Sequence, residues 1–218
     1  MKTEPTLAVS ETFYSIQGES RFAGLPCLFI RLAGCNLRCS FCDARYTYEE
    51  ESQEMTVGEL LAWVEQTPGV AVEVTGGEPL LQEAVYPLLK GLLAAGRTVL
   101  LETNGSMGLE QVPAGVVKIM DLKCPDSGMQ PHMKLANLGM LSPADEIKFV
   151  LSSRRDYDWA AEMIQRHRLD AVAGLAFSPV VPSLAPATLA DWLLADRLPV
   201  RLQLQLHTLL WPGQTRGI

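Results

Sequence analysis

Residues 34–43 read G-C-N-L-R-C-S-F-C-D and place Cys35, Cys39 and Cys42 on one short loop, with the spacing C-x3-C-x2-C. An apolar run at residues 27–32 comes directly before this loop and predicts a strand. Three thiolates can hold three irons of a [4Fe–4S] cluster, whereas clusters that only carry electrons usually have four cysteine ligands. The fourth iron would then be open to a small molecule, of which S-adenosylmethionine is the best-known example.

The cysteines alone leave other interpretations open. They could bind zinc with a fourth ligand from elsewhere, or they could be unrelated thiols or part of a disulfide set. The chain has five cysteines, an odd number, and begins Met-Lys-Thr-Glu without an apolar signal segment, which argues against a secreted disulfide framework. Cys27 and Cys124 lie outside the motif, and we expect them to be buried as small apolar residues.

Size and composition predict a folded globule. The chain has 218 residues, of which 48% are hydrophobic, and we assign residues 1–218 to one domain. Its net charge of −7 gives no electrostatic reason to expect nucleic acid as a partner. No apolar stretch is long enough to span a bilayer, so we expect no membrane contact and a cytoplasmic location.

Predicted strands and helices alternate along the chain. The strands cover residues 28–32, 70–74, 98–101, 116–120, 147–151, 175–177 and 200–206, and the helices cover residues 57–66, 85–95, 155–167 and 187–195. Residues 33–55 are expected to form a long loop. Thr56 and Glu59 have the spacing of a capping box at the start of the first helix. Repeated strand–helix units predict an α/β fold with a parallel sheet.

Five segments with candidate functional residues follow predicted strands. They are the cysteine loop, then residues 75–79, 102–105, 121–123 and 178–179. The carboxyl ends of parallel strands meet at one edge of a sheet, so we expect these segments to converge there. Gly76 and Gly77 would let the backbone approach a ligand closely, although a Gly-Gly before Pro79 is also common in ordinary strand-to-helix turns.

The cysteine loop and the Gly76-Gly77-Glu78-Pro79 turn together resemble the radical S-adenosylmethionine (SAM) superfamily. Residues 11–20, E-T-F-Y-S-I-Q-G-E-S, with residues 24–26 and 29–37, are similar to the 7-carboxy-7-deazaguanine synthase family. The similarity extends through residues 74–80, 102–105, 121–123 and 205–208, and so covers most of the chain.

That resemblance implies an incomplete, modified (β/α) barrel with outer helices, usually as a homodimer. It implies a carbon–nitrogen lyase of queuosine and deazapurine biosynthesis that contracts 6-carboxy-5,6,7,8-tetrahydropterin to 7-carboxy-7-deazaguanine and releases ammonia. A 5′-deoxyadenosyl radical would remove hydrogen from substrate carbon C6. The implied cofactors are a [4Fe–4S] cluster, SAM and Mg²⁺, and the implied electron donor is a reduced flavodoxin or ferredoxin.

The resemblance also assigns residues to three groups. The cluster ligands would be Cys35, Cys39 and Cys42. The substrate would contact Ile16, Gln17, Gly18, Arg31, Thr75, His207 and Pro212. SAM would contact Gly76, Gly77, Glu78, Asp121, Leu122, Lys123, Ser178, Pro179, Val180 and Val181.

Three of the substrate assignments have a chemical rationale and a simpler alternative. The amide of Gln17 offers donors and an acceptor to a pterin edge, although residues 16–18 could form an ordinary turn. The guanidinium of Arg31 suits a bidentate contact with a carboxylate, although it could be a surface charge at a strand end. His207 ends the predicted strand 200–206, whose polar face could line a cavity or simply be wetted as an edge strand.

Two positions depart from the family pattern. Relatives commonly carry a hydroxyl residue after Cys-Asp that binds Mg²⁺, but here the position is Ala44, which has no side-chain ligand atom. Residues 213–218 continue beyond Pro212, which places in doubt any role for a terminal carboxylate there. Two other hypotheses remain open at this stage: an activase that installs a glycyl radical on a partner protein, and a non-catalytic module that holds iron–sulfur or zinc.

Overall fold

The fold is built on one nine-stranded sheet. A computed structural model describes residues 4–218 of the chain. The strands are β1 (Thr6–Ile16), β2 (Pro26–Leu32), β3 (Gln53–Thr56), β4 (Ala71–Gly76), β5 (Val99–Thr103), β6 (Val117–Asp121), β7 (Glu146–Leu151), β8 (Gly174–Pro179) and β9 (Arg201–Leu202). The helices are α1 (Tyr46–Glu49), α2 (Val57–Glu65), α3 (Val85–Ala94), α4 (Arg154–His167), α5 (Pro186–Asp196) and α6 (Leu206–Leu210). None of these helices is long and apolar enough to cross a membrane.

The strand order is β3-β1-β2-β4-β5-β6-β7-β8-β9. From β2 to β9 every neighbouring pair is parallel, as the alternation of strands and helices predicts. The strand β1 instead pairs antiparallel with both β2 and β3. Across the described residues the sheet is open, with β3 and β9 at its two ends, which agrees with an incomplete barrel.

Alternate strand residues point to opposite faces of the sheet. On β2, Leu28, Ile30 and Leu32 are buried in the apolar core that the helices cover. Arg31 points to the other side, which we call the inner face. The inner face also carries polar residues from other parallel strands, namely Glu73, Thr75, Glu102 and Lys148. The fold therefore separates an apolar helix-covered side from a polar side available to a site.

Local signals predicted the middle of the chain well. The capping box is present: Glu59 N donates to Thr56 Oγ1 at 3.1 Å, and Thr56 N donates to Glu59 Oε2 at 2.7 Å. The predicted inner strands and the helices α2, α3, α4 and α5 lie within about two residues of their expected bounds. Cys27 and Cys124 are both buried, as expected for small apolar residues.

Two predictions of secondary structure are wrong, and one strand was not predicted. The strand expected at residues 200–206 pairs only over Arg201–Leu202, and the chain turns into α6 at Leu206. The long loop expected at residues 33–55 contains α1 and most of β3. The strand β1 was not predicted because its register shifts between Val9 and Glu11, so its apolar and polar residues do not alternate in one phase.

Candidate active site

The cysteine loop leaves the end of β2 and lies against the loops that follow β5 and β6. All three cysteines are free and partly exposed. Asn104 Nδ2 lies 3.8 Å from Cys35 Sγ, and Ser40 N donates to Ser127 O at 3.1 Å. Burial raises the pKa of the thiols of Cys35 and Cys39, and nearby Lys123 opposes that effect for Cys39. The loop therefore presents its thiols at the rim where the strands β2, β4, β5 and β6 end.

The turn after β4 packs directly on the cysteine loop. Glu78 N donates to Gly34 O at 2.8 Å, and Gly77 N donates to Leu32 O at 3.2 Å. A Cβ atom on Gly77 would lie 2.7 Å from Cys35 Cβ and would also overlap the carbonyl of Gly34. Only glycine therefore allows this approach.

The donor set fits a [4Fe–4S] cluster with one open iron. It consists of three thiols on one loop, which is a ligand set for three irons. Within residues 4–218, no three side chains of His, Cys, Asp or Glu are grouped as a site for a single metal ion.

The carboxylate of Glu78 is hydrogen-bonded inside the rim. It is fully buried, and its carboxylate accepts hydrogen bonds from Asn104 N at 2.7 Å, Thr103 Oγ1 at 2.9 Å and Leu80 N at 3.0 Å. Burial raises its pKa to about 7 even though these hydrogen bonds favour the ionised form. The carboxylate of Glu78 therefore joins the turn after β4 to the loop after β5, and a contact of Glu78 with SAM stays a prediction.

The end of β6 brings a buried acid and base next to the cysteines. Lys123 Nζ lies 2.7 Å from Asp121 Oδ2, while Asp121 Oδ1 is buried and has no hydrogen-bond partner among the described residues. Burial would lower the pKa of Lys123, but Asp121 and Cys39 raise it above its ordinary value. Leu122 is buried in the helix-covered core, so its side chain points away from the rim. Asp121 Oδ1 is thus an acceptor for a bound ligand.

The end of β8 contributes one buried residue and an exposed turn. Ser178 is buried, and Val180 N donates to Leu151 O at 2.8 Å. Val181 is 66% exposed. The structure therefore brings Ser178 and Pro179 to the same rim as the cysteines, while the side chain of Val181 faces solvent.

A charge cluster on the inner face, built around the buried Lys148, was missed by the sequence analysis. Lys148 Nζ lies 2.7 Å from Glu19 Oε2 and also contacts Glu102, which accepts from Thr75 Oγ1 at 3.1 Å. Burial alone would raise the pKa of Glu102, but Lys148 and the hydrogen bonds from Lys148 and Thr75 lower it to about 2. A charged residue inside an apolar strand, as in E-I-K-F-V-L of β7, is the signal that could have identified Lys148.

Arg31 lies beside this cluster but has its own partner. Its Nε donates to Glu11 Oε1 at 2.8 Å, and its guanidinium lies 5.6 Å from the ring centroid of Phe13. Burial would lower the pKa of Arg31, but Tyr46 and Glu11 raise it. The side chain is 18% exposed. Its terminal nitrogens make no hydrogen bond among the described residues, so they can meet a ligand carboxylate.

Gln17 does not present its amide to an open cavity. The amide nitrogen donates to Glu73, and the amide oxygen accepts from Glu19 N at 2.9 Å. Its backbone closes a turn over residues 17–25, because Gln17 N donates to Leu25 O and Gly24 N donates to Gln17 O, both at 2.8 Å. In this structure the amide instead holds the 17–25 turn against the sheet, and a contact of Gln17 with the substrate stays a prediction.

The C-terminal residues meet the same turn. Leu206 N donates to Gly18 O at 3.0 Å, and the imidazole of His207 packs so closely on Gly18 that a side chain there would overlap it. Pro212 is exposed just beyond α6. Residues 213–218 then run towards β1, where Gly217 N donates to Glu11 Oε2 at 3.1 Å. The C-terminal residues thus contact Glu11, which is the ion-pair partner of Arg31. A contact of Pro212 with the substrate stays a prediction.

Ala44 is confirmed as a position without a free oxygen ligand. Its carbonyl already accepts from Thr47 Oγ1 at 2.7 Å and from Thr47 N at 3.1 Å. The nearby carboxylate of Asp43 lies 3.4 Å from Gln205 Nε2. Asp43 is therefore the hard oxygen donor that this segment offers to a cation.

Comparison with known proteins identifies the family. Residues 29–166 match the model of the Radical SAM superfamily. The chain is 46% identical over 221 residues to the 7-carboxy-7-deazaguanine synthase of Chlorobaculum tepidum, with 100% of both chains covered. It is 44% identical over 227 residues to the synthase of Koribacter versatilis, covering 97% of this chain and 100% of that relative.

The chain belongs to the 7-carboxy-7-deazaguanine synthase family of the radical SAM superfamily. The crystal structure of QueE from Escherichia coli has the same fold as this family member, with a TM-score of 0.76 at 23% identity over 92% of this chain and 94% of that one. Streptococcus suis SuiB is more distant, with a TM-score of 0.58 at 14% identity over 78% of this chain and 46% of that one. The predicted family and the incomplete-barrel fold are confirmed.

Proposed function

We propose that this chain converts 6-carboxy-5,6,7,8-tetrahydropterin to 7-carboxy-7-deazaguanine with release of ammonia, as one radical SAM domain over residues 1–218. The observation that carries the proposal is the match along the whole chain to synthases of that name. The rim geometry supports it, because a three-thiol loop and a buried charge cluster lie at neighbouring strand ends. Neither a glycyl-radical activase nor a non-catalytic module is favoured by these relatives.

The residues at the rim divide into cluster-holding and SAM-binding groups. Cys35, Cys39 and Cys42 would hold the [4Fe–4S] cluster. The close approach at Gly76 and Gly77 leaves backbone groups for SAM, and residues 121–123 and 178–181 would complete its binding site. When bound, the cluster and SAM supply a 5′-deoxyadenosyl radical that removes hydrogen from the substrate. The chain's own role is to place a substrate carbon next to that radical and to exclude water.

The inner face suits a pterin. The 2-amino-4-oxo edge of a pterin presents N–H donors, which match carboxylate acceptors such as Glu19 and Glu102. The free terminal nitrogens of Arg31 suit the substrate carboxylate. Thr75 donates to Glu102 of this cluster. The predicted substrate contacts besides Arg31 remain Ile16, Gln17, Gly18, Thr75, His207 and Pro212.

The remaining partners are proposed from the family alone. The cluster needs a one-electron reductant, which we propose to be a reduced flavodoxin or ferredoxin. A homodimer and a cytoplasmic location are proposed on the same basis. The need for a reducing environment around an open iron supports that location.

The deciding experiment is anaerobic reconstitution with iron and sulfide, followed by incubation with dithionite, SAM and 6-carboxytetrahydropterin, with and without Mg²⁺. Formation of 7-carboxy-7-deazaguanine is the expected result. Formation of 5′-deoxyadenosine without that product would reject the substrate and leave the radical chemistry standing. Absence of both from a protein with an intact cluster and a working reductant would reject the catalytic function.

Arg31→Lys is expected to weaken binding of the substrate carboxylate by about ten- to a hundredfold, because lysine cannot make the bidentate contact of a guanidinium. The measurement is equilibrium binding of 6-carboxypterin, compared with pterin that lacks the carboxylate. The variant should lose affinity only for the carboxylated ligand. An equal loss for both ligands would show that Arg31 supports the pocket and does not bind the carboxylate.

Ala44→Ser is expected to lower the Mg²⁺ concentration needed for half-maximal activity several-fold, because it restores a hard oxygen donor beside Asp43. Ala187→Ser, on the exposed face of α5, is the matched control and should leave the Mg²⁺ titration unchanged. Identical titrations for wild type and Ala44→Ser would mean that Mg²⁺ does not bind at this position.

A further inference from the structure

Glu73 is a buried carboxylic acid that the proposed reaction does not use. It lies on the inner face of β4, two residues before Thr75, and is 3% exposed. Within residues 4–218, the one side chain hydrogen-bonded to its carboxylate is Gln17, through the amide nitrogen. This contact joins residues 56 positions apart in the chain and ties the 17–25 turn to the centre of the sheet.

No cation contacts Glu73 among the described residues. The nearby Lys148 is bound by Glu19 and Glu102, and the nearby Arg31 is bound by Glu11. Burial, and the negative charges of Glu102 on β5 and Glu19 on the turn, raise the pKa of Glu73 well above its ordinary value, although Lys148 and Arg31 oppose this. Glu73 is therefore a buried carboxyl group with a raised pKa, and its one side-chain partner among the described residues is a neutral amide.

The Gln17 amide links Glu73 to the 17–25 turn. Gln17 Oε1 accepts from Glu19 N at 2.9 Å, so the same amide that Glu73 holds also orients the next residues of the turn. Glu19 then reaches Lys148 at 2.7 Å and Gln205 Nε2 at 2.8 Å, and Gly18 meets α6. A shift of the Gln17 amide would move Gly18 and Glu19 relative to the charge cluster.

We propose that Glu73 is a positioning residue for the pterin, acting through its hydrogen bond to Gln17 to fix the turn that carries Gly18 and Glu19. This inference rests on the proposed function. The carboxylate of Glu73 is bonded to the Gln17 amide, and we assign it no direct contact with the substrate. A purely structural acid would stabilise the whole barrel equally, whereas a positioning acid affects the pterin site more than the cysteine rim.

Two substitutions separate these roles. Glu73→Gln keeps the size and an oxygen that can accept from Gln17, whereas Glu73→Met keeps the length but removes the acceptor. We expect Glu73→Met to raise the Kd for 6-carboxypterin about tenfold, since the Gln17 amide loses its partner. Binding is measured by pterin fluorescence on the holoenzyme with SAM and without reductant. Glu73→Gln should stay within about twofold of wild type.

In kinetics we expect Glu73→Met to change KM for the pterin selectively. With 6-carboxytetrahydropterin, Glu73→Met should raise KM about tenfold and leave kcat, iron content and SAM affinity within about twofold of wild type. A parallel fall in iron content, SAM affinity and kcat would overturn the proposal, because a structural defect acts on the whole protein. Unchanged pterin binding in Glu73→Met would overturn it as well.

A double-mutant cycle tests the route through Gln17. Gln17→Met removes the other half of the same bond and also the acceptor of Glu19 N, so the double variant should bind pterin no more weakly than Gln17→Met alone. Additive losses would show that the two residues act separately. If Glu73→Met does not fold, unchanged pterin binding in Gln17→Met would still overturn the proposal.

The proposed function fails separately. If the wild-type holoenzyme binds no 6-carboxypterin and forms no product, the substrate assignment is wrong, and the role of Glu73 falls with it. If wild type binds and reacts while Glu73→Met and Gln17→Met bind pterin as wild type does, only the role of Glu73 is wrong.

Discussion

Replacing Gly77 with alanine is expected to reduce SAM cleavage by roughly a hundredfold, the size of effect that a displacement of about 1 Å at a reacting centre produces. The added methyl group would lie 2.7 Å from Cys35 Cβ and overlap the backbone of Gly34. Those neighbours are a cluster ligand and main chain, so they can only move by moving the cysteine loop. Glu78 N, which donates to Gly34 O at 2.8 Å, would move with them.

The measurements are iron content after reconstitution, formation of 5′-deoxyadenosine, and the melting temperature. Gly139→Ala is the matched control, because a Cβ atom there has no neighbour within 4 Å, and it should behave as wild type in all three. In Gly77→Ala, iron content and SAM cleavage should fall clearly below wild type, whereas the melting temperature should change little. Full iron content with normal SAM cleavage would show that the two loops are not packed as the structure has them.

The segments that local sequence predicted correctly are those whose signal is complete within a few residues. The inner strands are short runs rich in Val, Ile and Leu, of a length typical of strands and separated by loops and helices. The start of helix α2 is predicted by the capping box of Thr56 and Glu59. The cysteine loop and the Gly76-Gly77 turn carry their chemistry in short motifs, and both lie at the predicted edge of the sheet.

The segments that sequence could not predict depend on contacts between distant residues. Alternation in V-R-L-Q-L-Q-L predicted a strand over residues 200–206, but the pairing ends after Leu202, and Leu206 N instead donates to Gly18 O. The tertiary contact with the 17–25 turn therefore decides where the strand stops. The strand propensity of residues 200–206 contains no information about such a distant contact.

The same limit applies to the site. Lys148 meets Glu19 across 129 positions of sequence and Glu102 across 46, and no motif links these three residues. Gln17 was expected to face the substrate because its chemistry suits a pterin edge, yet its amide is engaged by Glu73 and Glu19 N. A residue type shows what a side chain can bind, but the fold decides which partner it has.

Lys148→Met is expected to lower the free energy of unfolding by about 3 kcal/mol at pH 7, because it leaves the partly buried carboxylates of Glu19 and Glu102 without their shared cation. The side chain of Lys148 is 6% exposed, and those of Glu19 and Glu102 are 17% and 27% exposed. Lys134→Met is the matched control. It breaks the exposed pair of Lys134 with Glu110, so it should cost less than about 1 kcal/mol.

The loss in Lys148→Met should depend on pH with a defined sign. In wild type the pKa of Glu102 is held at about 2, below its unfolded value, so its stabilising contribution is present above that unfolded value and is lost as the pH falls towards 2. Without Lys148, burial raises the pKa of Glu102 above its unfolded value, and the variant then loses stability as the pH rises. The difference between the two proteins, measured by urea unfolding, should therefore be largest at pH 7 and smaller near pH 4.5. A difference that is constant across this range would mean that Lys148 contributes packing and not charge.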